Sequence, residues 1–341
     1  MADGAALSLP SVKRKEPFME NKVFDIVLLM ALPASGKSEV RNFMANISPE
    51  RLASEFHIGE NLQLDDFPYV HMMRRIDNEL QAMGEERIFY PGEEPFIDGR
   101  DWGTLCCLLN EDYHDLLNRN VCKPDSAAKL LFERIDRAGE QAGISPRLGL
   151  LKDSIREKLA SILEKEAAEM LAEKQAQYPE SFENKTIVIE CARGGPDGSS
   201  MPLTGTFGYQ YSLPMFCPEI LEKAVVLYIW VTPEESRRKN ADRADPNDPG
   251  SNLHHGVPMA VMLGDYGCDD MEYLTQQTEQ KDTLTVSAHG NTYHLPIGIF
   301  DNRVDKTSFL RETPDRWDEE KVKVVTAGIR TATDTMFANY K

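Results

Sequence analysis

The run Val23-Phe24-Asp25-Ile26-Val27-Leu28-Leu29-Met30 passes directly into Ala31-Leu32-Pro33-Ala34-Ser35-Gly36-Lys37-Ser38, and residues 39–47 continue with helical periodicity. A near-continuous, partly β-branched apolar run is expected of a strand covered on both faces of a parallel sheet. The order strand, small-residue loop, helix therefore predicts an α/β chain and restricts what the loop between them can be.

Further strand signals follow the same style. Leu62-Gln63-Leu64 is stopped by Asp65-Asp66-Phe67-Pro68, and strand character returns over residues 186–190 and 224–231. Residues 283–286 and 292–295 flank His289-Gly290-Asn291 and predict a β-hairpin, with residues 296–300 as another strand and 317–339 as a closing helix. The stretch 71–182 differs, being charged and poor in β-branched residues. Within it, Leu151, Ile155, Leu159, Ile162, Leu163, Met170 and Leu171 recur at helical spacing, which predicts a long amphipathic helix over 150–177 ending before Pro179. The expected organisation is a tail over 1–20, a core over 21–70 and 183–341, and a helical insertion over 71–182 that serves as a substrate or lid subdomain.

Charge narrows the partners. With 38 basic and 56 acidic residues the chain carries a net −18, and outside Lys13-Arg14-Lys15 it has no basic run, so no nucleic-acid or membrane surface is expected. Six cysteines without a C-x-x-C pair point away from a structural zinc site and a disulfide framework, towards a reducing compartment. No apolar run approaches the roughly 20 residues of a membrane span, and Lys13 to Glu16 interrupt any signal-peptide core. A cytoplasmic protein is expected.

The general pattern G-x-x-x-x-G-K-[ST] works because successive backbone N–H groups curl around phosphate oxygens at a helix N-terminus, lysine reaches the outer phosphates and the hydroxyl ligates magnesium. Gly36, Lys37 and Ser38 match it, while Ala31 replaces the first glycine. Ala34, Ser35, Gly36, Lys37, Ser38 and Glu39 are thus the expected phosphate contacts, against the plainer reading of a strand-to-helix turn with a surface lysine.

Phosphoryl transfer also asks for a group that orients the acceptor and for charge neutralisation. Asp65 and Asp66 stand at the predicted carboxyl end of a strand, where one can take the acceptor's proton, although an acidic turn before Phe67-Pro68 explains them too. Glu190 closes its strand and can help hold magnesium. Arg193 is a candidate contact for a phosphate or an anionic acceptor, or else a solvated strand end. Arg237, Arg238 and Arg243 fall on or just after a helix and can form a mobile lid, or a basic solvated face. The loop over residues 90–102 offers Asp98, Arg100 and Trp102 to a polar acceptor, unless it merely pins the insertion to the core. His254-His255 and residues 265–270 invite a metal reading, but lack a ligand pattern to support one.

Together, Leu32 to Ser38, Gln63-Leu64-Asp65-Asp66-Phe67, Ile187-Val188-Ile189-Glu190 and the segment Leu227 to Arg238 resemble the P-loop kinase group that includes uridine kinase, nicotinamide riboside kinase and phosphoribulokinase. The resemblance covers about half the chain, over 23–70 and 184–245. It implies a three-layer P-loop NTPase core, ATP and Mg²⁺, Asp65 as catalytic base, Glu190 as the acid closing the later strand, and Arg238 and Arg243 on a lid. The expected activity is transfer of phosphate from ATP to a hydroxyl of a small molecule. The rivals are a nucleotide-hydrolysing ATPase and a non-catalytic nucleotide sensor or assembly protein.

Overall fold

A computed structural model describes residues 23–243 and 256–340; the expected tail and His254-His255 lie outside them. Every residue of β1 (Ile26–Met30) is buried. Successive side chains of a strand point to opposite faces, and here Ile26, Leu28 and Met30 enter one core while Val27 and Leu29 enter another. The strand is thus covered on both sides, as its composition requires.

After β1 come α1 (Lys37–Ala45), α2 (Pro49–Phe56), β2 (Glu60–Asp65), α3 (Phe67–Ala82), α4 (Asp101–Asn118), α5 (Ala127–Gln141), α6 (Asp153–Ala176) and β3 (Lys185–Cys191). The chain continues through the short α7 (Gly208–Ser212) and α8 (Pro218–Leu221), then β4 (Ala224–Trp230), α9 (Pro233–Arg243), α10 (Met259–Gly264) and α11 (Met271–Gln276). The hairpin strands β5 (Thr283–Ala288) and β6 (Asn291–Asp301) and helix α12 (Glu319–Asn339) complete it.

The strands form one six-stranded sheet in the order β2-β3-β1-β4-β6-β5. All neighbours are parallel except β5 and β6. The hairpin lies where the sequence put it, but residues 296–300 are not a separate strand: β6 runs unbroken through Pro296 to Asp301. Pro296 makes no break there because β6 passes at that point from pairing with β5 to pairing with β4.

Helices α1, α2 and α12 cover the Val27 face and α4 the Ile26 face. Helix α6 behaves as its periodicity predicts, burying Leu159, Leu163 and Ala167 four residues apart. The stretch expected as an insertion is helical, yet α4 binds it to the sheet. Cys106, Leu109, Tyr113 and Leu116 pack on the strands, and Trp102, Leu105 and Leu108 on the other helices. No helix among the described residues is long and apolar enough to cross a membrane. All six cysteines are free.

The parallel register brings the carboxyl ends of β1, β2 and β3 side by side, pairing Asp65 with Glu190 and Met30 with Cys191. Ligands in open α/β sheets bind outside that edge.

Candidate active site

A cavity of about 530 Å³ opens at this edge, lined by the loop between β1 and α1, by Asp65, Asp66 and Glu190, and by aromatic residues from α3 onward. In the loop the backbone turns left-handed at Ala34 (φ 53°) and again at Gly36 (φ 105°). Gly36 is required twice over: its φ suits glycine, and a Cβ there would lie 2.5 Å from Thr307 Oγ1 and 2.9 Å from Asn302 Nδ2. Ala31 does not enter the left-handed region, so alanine serves where the general pattern has glycine.

Two buried side chains brace the loop from behind. Ser236 Oγ donates to the Pro33 carbonyl at 2.6 Å and Asn302 Nδ2 to the Ser35 carbonyl at 2.7 Å. Because a trans peptide sets its N–H opposite its C=O, fixing these carbonyls turns the Ala34 and Gly36 amides the other way. The amides of Lys37, Ser38 and Glu39, in the first turn of α1, have no intrahelical acceptor. Ser35 Oγ is buried without a hydrogen-bond partner among the described residues. Lys37 Nζ reaches across to the Cys191 carbonyl at 3.4 Å. The result is a donor-rich hollow at a helix N-terminus, suited to an anion.

Facing it are the acids. Arg41, one turn after Lys37, places Nη1 2.5 Å from Glu190 Oε1 and 3.9 Å from Asp65 Oδ2. Burial, followed by the charges of Glu190 and Asp66, pushes the Asp65 carboxyl up to about 7, against the Phe67 amide and Lys37. Three carboxylates crowd this end of the sheet, and each needs positive charge. Asp66 has its own, because Arg193 Nη1 lies 2.6 Å from its Oδ2. Asp65 and Glu190 share Arg41, so the pair has room for a further cation. The Glu190 carboxylate and the Ser38 hydroxyl offer the oxygen donors that a hard ion such as magnesium takes.

Several expected contacts stand elsewhere. Arg193 is 1% exposed, does not line the cavity, and spends its donors on Asp66, Ser212 Oγ and the Ala192 carbonyl. It is a positioning residue that fixes Asp66, because a guanidinium enclosed this deeply must be paired inside the protein. Asp98 and Arg100 form a pair at 2.6 Å outside the cavity, with Arg100 also bonded to the Gly143 carbonyl, so they hold the loop rather than a ligand. Arg238 is exposed and bound to Glu235 and Asp242 on its own helix, a neighbouring-turn pairing that keeps it off the cavity. The side chain of Arg243, at the end of α9, lies outside the described part. Glu39 lines the cavity, but its carboxylate is taken by Arg311 Nε at 2.6 Å, leaving its amide for an anion.

Of the loop over 90–102, Trp102 does line the cavity, together with Tyr90. With Phe67, Arg74, Asp265 and Tyr266 they give the same cavity an aromatic-lined part, the aromatic chamber. Its walls are fixed by packing. Tyr90 stacks on Phe96 at 4.2 Å, and Trp102 meets Phe96 and Tyr266 edge-on at 5.0 and 5.6 Å. Asp77, wholly buried on α3, accepts hydrogen bonds from the Ile88, Phe89 and Tyr90 amides. Sequence reasoning missed Arg41 and Arg74, and considered Asp265 and Tyr266 only within a metal reading of residues 265–270 that it set aside. Arg41 alone carried a signal, its helical spacing from Lys37; the others come from distant segments with no motif.

Comparison of the chain with protein families, curated proteins and solved structures finds no match. The geometry therefore carries the functional reading.

Proposed function

We propose that the protein is an ATP-dependent phosphotransferase with a P-loop core, moving the terminal phosphoryl group of ATP to a hydroxyl of a small molecule. The observation that carries this reading is one cavity lined by three sets of residues: an amide-lined loop ending in Gly36-Lys37-Ser38, an acid with a raised pKa, and a group of aromatic side chains beyond them.

The roles follow from position. Amides of residues 34–39 and the Lys37 amine hold the phosphates, and Ser38 with the Glu190 carboxylate would hold Mg²⁺. Bound magnesium would neutralise charge developing on the phosphate oxygens. Asp65, which lines the same cavity, takes the proton from the acceptor hydroxyl, a task that favours a carboxyl with a pKa near 7. Arg41 keeps Glu190 and Asp65 in register. The walls from α3 and α4 place the acceptor and exclude water, the part assigned here to the helices over 71–182.

The decisive experiment measures ATP affinity and acceptor-dependent ADP release, with a panel of hydroxyl compounds, for the native protein and Lys37→Ala. Loss of a preorganised cation should lower turnover about 100-fold or more. Full nucleotide affinity and turnover in the variant would overturn the proposal, and ADP release indifferent to every acceptor would replace it with hydrolysis.

A further inference from the structure

Asp265 follows α10, its amide bonded to the Val261 carbonyl at 2.9 Å, and the residue lines the aromatic chamber. The residue is 4% exposed, and its Oδ2 has no hydrogen-bond partner among the described residues. Buried polar atoms are almost always satisfied, and one left open inside a cavity is accounted for by a ligand group that completes it. Burial pushes this carboxyl up to about 7, while Arg74 and Trp102 act in the opposite direction and favour its charged, accepting form.

The surroundings constrain what fills the chamber. Aromatic rings form its walls, which suits a flat body. A cation would meet the Arg74 guanidinium, which already covers the Tyr90 ring at 3.9 Å, and the Trp102 ring is taken by Arg193 at 4.9 Å. An anion would meet Asp265 and Asp66. An uncharged molecule avoids both penalties.

We propose that Asp265 reads a hydrogen-bond donor on the phosphate acceptor, so that the acceptor is an uncharged molecule with a flat ring and an O–H or N–H distinct from the hydroxyl that receives phosphate. This rests on the phosphotransferase reading for the word acceptor, but the recognition itself is a binding property. A site built around a buried acceptor rejects a ligand lacking the donor, because the carboxylate oxygen is then left open.

The test uses para-hydroxybenzyl alcohol and para-methoxybenzyl alcohol, which share a ring and a primary hydroxyl and differ in one donor. Dissociation constants are measured by NMR titration of the native protein, Asp265→Leu and Asp265→Asn, with ATP affinity as a check that each variant is folded. Above pH 8, where the Asp265 carboxyl is ionised, the native protein should bind the hydroxy compound about tenfold more tightly, as one hydrogen bond to a charged group implies. Asp265→Leu should bring the ratio to about one by removing the acceptor atom, and Asp265→Asn, which keeps an acceptor without the charge, should give a ratio between the two. A native ratio near one, no binding of either compound at millimolar concentration, or an unchanged ratio in both variants overturns the inference. Discrimination without any phosphorylation would sink the phosphotransferase reading alone, and phosphorylation without discrimination would sink this one alone.

Discussion

Replacing Arg193 by methionine should destabilise the protein far more than any surface substitution, because it opens the most enclosed ion pair of the site. The guanidinium lies 2.6 Å from Asp66 Oδ2, and it donates to Ser212 Oγ at 3.1 Å and to the Ala192 carbonyl at 2.7 Å. Methionine keeps much of the apolar stem but leaves the Asp66 carboxylate, 11% exposed, without its counter-ion. Breaking a buried pair by removing one partner costs about 3–5 kcal/mol, so about 4 kcal/mol is expected here. Such a loss is a large share of the roughly 5–15 kcal/mol that stabilises a typical domain. Asp66→Asn alone strands the guanidinium and should also destabilise, whereas the double variant leaves no charge unpaired. Its loss should fall short of the sum of the single losses by about 2 kcal/mol. Urea unfolding followed by tryptophan fluorescence measures all four proteins. An Arg193→Met protein within about 1 kcal/mol of native, or strictly additive losses, would refute the assignment of Arg193 as the partner that holds Asp66 in place.

Two further tests address the acids around the cavity. If Asp65 works ionised, turnover at limiting acceptor should rise with pH up to about 7 and level off above it, and Asp65→Asn should flatten that limb and lose about 100-fold or more in rate. The sign for stability is opposite: the folded carboxyl keeps its proton up to about 7 while the unfolded one releases it near 3.8, so the contribution of Asp65 declines as pH rises between those values. Asp65→Asn should remove that decline, read as the melting temperature against pH. Asp77→Ala strands the amides of Ile88, Phe89 and Tyr90 and should cost about 3 kcal/mol in urea unfolding, while weakening binding in the aromatic chamber more than binding of ATP.

Local chemistry explains which parts of this molecule were legible in its sequence. The strand at Ile26–Met30 announces itself as an unbroken apolar run buried on both faces, the hairpin by two strand-like runs about a short turn, and the long helix Asp153–Ala176 by burial that recurs about every four residues. The loop ending at Gly36-Lys37-Ser38 is equally local, since the backbone requirement and the side chains sit within a few residues. Arg193 was misjudged because nothing in Cys191-Ala192-Arg193-Gly194 says that α4 and the end of β2 will close over it; only the tertiary structure brings Trp102 and Asp66 to its guanidinium. Arg238 was assigned to a lid for its charge, while Glu235 and Asp242, at positions that share its helix face, had a prior claim on it. The aromatic chamber was the least readable part. Arg74, Tyr90, Trp102 and Asp265 belong to separate elements, and each alone reads as ordinary core or loop.

The register that sets Asp65 against Glu190 has a bearing on how the chain acquires its activity. The two strands are hydrogen-bonded neighbours, yet four long helices lie between them in the chain, so their pairing must await closure of a very long loop. Nonlocal parallel pairing of this sort is slow to form. A nascent or truncated chain can present the glycine-lysine turn early, but it has no acid pair to set beside that turn until the intervening helices are made and docked. On the proposed function, assembly of the acid pair is in this way deferred until the segment through β3 has been made and docked.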